Sequence, residues 1–388
     1  MPPFDPHSCG FPEEILPNTS TGSVTPSTDS DQAKLLKTIE ISLVGRPLGD
    51  VARVNVAEAV PGTLQVEIEL GFPCSSAHGA IAEEISAALR DEFGVDTVEV
   101  EFSTKVRRHG VQRNLQPIPG VKNLIAIASG KGGVGKSTVA ANIALALSAE
   151  GASVGVLDAD IYGPSQIQML GLEGKVPDTR DGKTMLPLRA HGLQVMSMGA
   201  LVEADQPMVW RGPMVTSALN QLATQTNWEG LDYLIVDMPP GTGDIQLTLA
   251  QQIPVSGSVI VTTPQTIATL DARKGLQMFR KVKIPVLGVI ENMATHICSN
   301  CGQEDAIFGT GGAEKIAWDF DTQLLGRLPL DTRIREQTDA GKPTVVAEPG
   351  SSIAHAYREA AWKIGAAQAA ERVDHSAKFG PIVVEPSQ

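Results

Sequence analysis

Residues 129–138 read SGKGGVGKST, and within them Gly130, Gly135, Lys136 and Ser137 keep the G-x-x-x-x-G-K-[ST] spacing of a phosphate-binding loop. Glycines let such a loop turn with its N–H groups inward, around phosphate oxygens. A helix starting behind the loop adds the partial positive charge of its N-terminus. Lys136 is then placed to reach the β- and γ-phosphates, and Ser137 to ligate Mg²⁺. The whole run is expected to line a nucleotide: Gly130, Lys131, Gly132, Gly133, Val134, Gly135, Lys136, Ser137 and Thr138. The loop needs one lysine and has two, so Lys131 requires an explanation of its own.

Three carboxylates and a cysteine pair extend the chemistry. Asp237 closes the apolar run of LIVDMPPGTGD, where a carboxylate can hold Mg²⁺ through water. Asp158 and Asp160, in VLDADIYGPS, end another apolar run. Asp160 is favoured for orienting an attacking water and Asp158 for the outer shell of the metal, although the two roles could be exchanged. Cys298-x-x-Cys301 supplies two thiolates, half of a tetrahedral site for Zn²⁺ or an Fe–S cluster. Cys9 and Cys74 stand alone elsewhere, so a four-thiolate site needs a second chain, as a homodimer axis would provide. Spacing leaves zinc, a cluster, a redox disulfide and two packed thiols open. The Gly/Asn/Asp-rich surroundings do not resemble the strand-to-helix setting of a thioredoxin motif. His296, two residues before the pair, reads as a plain loop histidine ahead of an outer-shell donor or third ligand, and Cys74, near a helix start, as a buried small residue ahead of a thiol that contacts a metal centre or a client.

The elements that must position these residues follow from pattern. Residues 1–30 lack Lys and Arg, are rich in Pro, Ser and Thr, and read as a disordered tail. Residues 31–104 predict a small α+β domain of order α-β-β-α-β. It has a helical pattern from Leu35 to Leu43, a hairpin about Pro61-Gly62, a helix through Ile81, Ile85 and Leu89, and a strand TVEVEF. Residues 105–120 carry four cations and no periodicity, and read as a solvated linker. From 121 to 372 continuous apolar strands alternate with helices: NLIAIAS, SVGVLDAD, LDYLIVDMPP, GSVIVTTP, PVLGVIENM and TQLLGRLPL. Strands of this kind are buried on both faces, which predicts an α/β domain with a mostly parallel sheet covered by helices. Residues 373–388 read as a second tail.

These motifs together resemble a known class. GKGGVGKST is similar to the deviant Walker A loop of the nitrogenase-iron-protein/MinD/ParA ATPases. With DADIYGPS, VDMPPGTGD and CSNCG it resembles the Mrp/ApbC family of iron–sulfur carrier ATPases over 105–372, and 31–104 resembles the MIP18-type domain often fused in front. The resemblance implies a P-loop NTPase fold and ATP hydrolysis. It implies that Lys131 reaches across a homodimer into the partner's nucleotide. A cation supplied in trans would stabilise the charge spread over a phosphoryl group in flight. It also implies a [4Fe-4S] cluster bridging Cys298 and Cys301 of both subunits, delivered to apoprotein clients and received from a scaffold donor. Asn292, in VIENM, would contact the adenine, beside a backbone wall at Arg327–Asp331.

Composition narrows the partners. Of 388 residues 42% are hydrophobic, yet no run of 18 apolar residues exists, so no membrane-spanning helix is expected. The N-terminus has neither a basic nor an apolar signal region, and four cysteines make no disulfide framework, so a cytoplasmic setting is expected. A net charge of −13 argues against nucleic acid, and the C-terminal residues make no basic amphipathic anchor. That disfavours a MinD- or ParA-like positioning ATPase. A nucleotide-dependent scaffold and a zinc-clamped ATPase dimer stay as alternatives.

Overall fold

The structure is a computed structural model that describes residues 30–60, 62–112, 115–201, 212–298 and 300–374. The expectations for the tail before Ser30, for Cys9 and for the end beyond Asp374 lie outside the described residues.

The small domain opens with α1 (Asp31–Thr38), whose N-cap Ser30 accepts from the Ala33 amide at 3.2 Å. The helix stops at Thr38, short of the expected run to Leu43. Ile39 is already extended, and β1 (Glu40–Ile41) and β2 (Arg46–Pro47) pair about a turn at Gly45, φ 61°. β-Branched Thr38, Ile39 and Ile41 disfavour continuation of the helix, and the turn buries Ile41 and Val44 in the small core. A short α2 (Leu48–Val51) leads into β3 (Ala52–Val60), β4 (Thr63–Leu70), α3 (His78–Phe93) and β5 (Thr97–Thr104). β3 and β4 form the expected antiparallel hairpin, and β5 adds parallel to β4.

Residues 105–120 are not a solvated tether. Val106, His109 and Ile118 are buried, and Arg107 pairs with Glu69 at 2.8 Å. Buried Asn123 accepts from the His109 amide and from Nδ1–H at 3.1 and 2.9 Å, and donates to the Arg107 carbonyl at 2.7 Å. Side-chain hydrogen bonds hold this strap, so it shows no hydrophobic period.

The large domain runs through β6 (Val121–Ser129), α4 (Lys136–Ala149), β7 (Val154–Asp158), α5 (Gln166–Met169), β8 (Leu188–Ala190) and β9 (Leu193–Ser197). It continues with α6 (Gly212–Gln225), β10 (Leu231–Asp237), α7 (Asp244–Gln252), β11 (Gly257–Thr262), α8 (Thr266–Lys281) and β12 (Val286–Glu291). A small hairpin, β13 (His296–Ile297) and β14 (Glu304–Asp305), precedes α9 (Gly312–Asp319), β15 (Leu324–Arg327), α10 (Thr332–Asp339), α11 (Thr344–Ala347) and α12 (Ser352–Ala369). The sheet order is β15-β12-β11-β6-β10-β7-β9-β8, parallel except for β8. Helices cover both faces: one core joins the sheet to α4, α11 and α12, the other to α6, α7, α8 and α9. The six expected strands are present. β8 and β9 extend the sheet beyond them, joined by a turn at His191 and Gly192 too tight to separate them by pattern. Among the described residues no helix is long and apolar enough to cross a membrane.

α12 belongs to both domains. Tyr357, Ala360, Ala361 and Ile364 enter the large core, whereas Trp362 and Ala366 enter the small one. Gly365 lets the domains close: a Cβ there would lie 3.0 Å from Cβ of Phe72. A second joint is Glu150, after α4, which accepts from the Ser76 amide and hydroxyl at 2.9 and 2.6 Å.

Candidate nucleotide site and cysteine hairpin

Strand register puts the carboxylates side by side. Asp237, last in β10, is opposite Asp158, last in β7, which in turn is opposite Ser197, last in β9. All three lie at the C-terminal edge of the parallel strands, where α/β sheets bind ligands. The loop between β6 and α4 closes over the same edge. Two glycines are obligatory there. Gly135 has φ 80°, and a Cβ on it would stand 2.3 Å from Nδ2 of Asn292. A Cβ on Gly130 would stand 2.1 Å from the carbonyl carbon of Asp271, on α8. The cleft so formed holds about 260 Å³ and is bordered by the loop, Asp160, Ser165, Met169 and Pro240.

Lys136 is buried, and its ammonium pairs with Asp237, lies 3.2 Å from Oγ of Ser137 and 3.7 Å from Oδ2 of Asp160. Burial raises the pKa of the Asp160 carboxyl; Lys136 opposes that rise. Asp158 turns inward and accepts from the amides of Asp160, Ser165 and Gln166 at 3.2, 3.0 and 3.1 Å, and from the Ser197 hydroxyl at 3.1 Å. Its carboxyl is pushed up to about 7, first by complete burial and then by the neighbouring Asp237 charge. Lys131 lines the cleft half-buried, and among the described residues its ammonium has no ion-pair partner.

Asn292 has a place that sequence reading did not anticipate. Its amide donates to the Val134 carbonyl at 2.8 Å, so it braces the phosphate loop from β12. The expected adenine contact would have to use its remaining amide atoms. The chain then runs through Thr295 and His296 into the cysteine hairpin. Arg327–Asp331 straps this run: Leu328 bonds Glu291 and Ala294, Leu330 bonds Thr295, and His296 Nδ1–H donates to the Leu330 carbonyl at 2.9 Å. His296 is thereby turned to the strap.

Cys298 and Cys301 sit at the tip of the β13–β14 hairpin, closed by Cys298 N–H to Gln303 O at 2.9 Å and Gly302 N–H to Cys298 O at 2.8 Å. Backbone N–H groups of Asn300 and Cys301 hold the Cys298 thiol below its ordinary range. Among the described residues no group of three or more His, Cys, Asp or Glu is arranged to hold a metal, so this chain offers two thiols at that tip. Cys74 is the opposite case: burial pushes its thiol up to about 12, as fits a packed residue.

Sequence reasoning also missed Gln166, fully buried, whose amide nitrogen donates to Ser137 O at 3.0 Å and Asp237 Oδ2 at 2.9 Å. Its position directly after DADIYGPS was the available signal.

The chain is similar to known proteins. The family model for the NUBPL iron-transfer P-loop NTPase of the ParA group matches residues 120–365. An iron-sulfur cluster carrier protein of Pseudomonas fragi is 59% identical over 278 residues, 71% of this chain and 97% of the relative. One from Escherichia coli strain K12 is 54% identical over 304 residues, 78% of this chain and 82% of the relative. Among solved structures, a nucleotide-binding protein from Archaeoglobus fulgidus in complex with ADP is 35% identical, with TM-score 0.52 over 60% of this chain and 90% of that one. A phosphate loop, a carboxylate edge and a matched span that takes in both the loop and the cysteine hairpin place this chain in the NUBPL iron-transfer P-loop NTPase family.

Proposed function

We propose that this protein is an ATP-hydrolysing carrier that binds a [4Fe-4S] cluster between two copies of the chain and passes it to apoprotein clients. The observation that carries the reading is a single short segment. Asn292 braces the phosphate loop, and six residues later Cys298 opens the thiol tip. A change in loop occupancy therefore has a direct path to the cysteine hairpin. Nucleotide can shift the hairpin only by binding its two arrangements with different affinity.

The residues present fit Mg²⁺ and ATP. The glycine cradle has no room for side chains at Gly130 and Gly135, and the helix α4 begins behind it. Mg²⁺, when bound, supplies charge neutralisation across the β- and γ-phosphates. Ser137 would ligate it, Asp237 would hold it through water, and Asp158 would act from the outer shell through its field. Lys136 leaves Asp237 and Asp160 to take the phosphates. Asp160, freed, orients water for attack on the γ-phosphorus, releasing ADP and phosphate. Lys131 of the partner copy stabilises the charge in flight. Asn292 contributes its free amide oxygen to the base, beside the Arg327–Asp331 strap.

The test is iron, acid-labile sulfide and zinc per chain after anaerobic reconstitution, in the unaltered protein and in Cys298→Ala/Cys301→Ala. About two iron and two sulfide per chain, lost in the double variant, are expected for one four-iron cluster per dimer. Zinc at about half an atom per chain would replace the carrier reading by a structural clamp. No metal at all would leave an ATPase whose cysteines serve another purpose.

A further inference from the structure

Gln166 bonds three residues of the metal–nucleotide edge, Ser137, Asp158 and Asp237. Its amide nitrogen reaches the first turn of α4 at Ser137 and the last residue of β10 at Asp237, and its main-chain N–H reaches Asp158. Both partners of the amide nitrogen are acceptors, so the amide cannot be flipped without setting oxygen against oxygen. That leaves Oε1 buried and without a hydrogen-bond partner. The edge that Gln166 bonds carries Asp158 and Asp237, and Lys136 links Asp237 to Asp160 on the same edge. When Lys136 turns to phosphate, Asp237 loses its cation and, among the described residues, keeps the Gln166 amide as its side-chain hydrogen-bond donor.

We propose that Gln166 is a positioning residue for the metal. It holds the Asp237 carboxylate and the Ser137 turn in register while Lys136 changes partner, and its free oxygen accepts from a metal-bound water. Water on a divalent cation is a strong donor, and partners behind metal ligands commonly govern metal affinity by 10- to 100-fold. This inference rests on the nucleotide half of the proposed function and is independent of the cluster.

The experiment titrates a fluorescent ADP analogue into the full chain, once with Mg²⁺ and once with chelator. Gln166→Met keeps the length of the side chain and removes its hydrogen bonds. The expected result is that Mg²⁺-dependent tightening falls by roughly tenfold, while affinity in chelator stays within about twofold. Ser197→Ala, which removes a hydrogen bond from neighbouring Asp158, should keep the Mg²⁺ effect and so separates metal positioning from general loosening. Should Gln166→Met not fold, Gln166→Asn, one carbon too short to span Ser137 and Asp237, is expected to lose the Mg²⁺ effect in the same sense. A variant that retains the full Mg²⁺ effect, or that weakens equally with Mg²⁺ and chelator, overturns the inference alone. No nucleotide binding by the unaltered chain would overturn the nucleotide reading and this inference with it.

Discussion

Among single residues the sharpest contrast is between the two lysines of the loop. Lys136 is buried against two carboxylates, whereas Lys131 lines the cleft without an ion-pair partner among the described residues. Lys131→Ala should therefore bind ATP within about twofold of the unaltered chain and lose at least about tenfold in turnover, as for a charge supplied to the transition state alone. Equilibrium nucleotide binding and phosphate release, measured on one preparation, would check this, and unchanged turnover would reject a role in trans. The thiols differ as sharply. Cys74 is enclosed and its thiol is held protonated, while Cys301 is exposed. Iodoacetamide at pH 8 should label Cys298 and Cys301 in the metal-free native protein and reach Cys74 only after denaturant, as read by peptide mass spectrometry. The loop, the three aspartates and the cysteine pair were legible in the chain because each belongs to a contiguous motif whose residue types state its chemistry. Gln166 and the bracing role of Asn292 were not, because their meaning lies in contacts with residues 29 and 158 positions away.

For whole elements, burial pattern decided what could be read. Strands such as β6 and β10 are nearly continuous apolar runs because helices cover both sheet faces, and their parallel pairing followed from that. The strap at 105–120 escaped because its order comes largely from side-chain hydrogen bonds and an ion pair, with Asn123 at their centre. Asn123 ties together His109, Arg107 and Asp232, the last at 3.3 Å. Removing it leaves buried donors and acceptors unpaired, which costs about 1–3 kcal/mol per stranded group. Asn123→Ala should lower unfolding stability by about 2–4 kcal/mol, measured by denaturant midpoint at constant slope, and a loss below about 0.5 kcal/mol would show that the strap is held otherwise. The segment from Asn292 to Cys298 carries a functional prediction of the same kind. Asn292→Ala should leave the thiol pair intact but make the hairpin indifferent to nucleotide: with each protein held saturated with ATP, as checked by equilibrium binding, amide hydrogen exchange at 296–305 is expected to change in the unaltered protein and not in the variant. A response of equal size in both would break the proposed link.

In the molecule as a whole, α12 makes two cores into one unit. Trp362 and Ala366 finish the small core while Tyr357 and Ile364 fill the large one, and Glu150 pins α4 to Ser76. One calorimetric transition is therefore expected for the metal-free chain. Trp362→Ala, which opens a cavity at the junction, should lower its stability by about 3–5 kcal/mol. Two resolved transitions in the unaltered protein would mean that the domains melt separately. Neither joint was visible along the chain, since Gly365 and Glu150 gain their meaning only from Phe72 and Ser76 on the other domain. The shared helix also has a consequence for how the protein is made. A ribosome adds roughly 5–20 residues each second, and domains ordinarily fold as they emerge. Here the first domain has its last strand by Thr104 but lacks Trp362 until roughly 260 residues later, on the order of 10–50 s of synthesis. Through that interval the nascent chain exposes the unfilled side of Phe72 and its neighbours. A product stopped before α12 would keep that apolar side uncovered, so the small core is finished only when the end of the chain has been made.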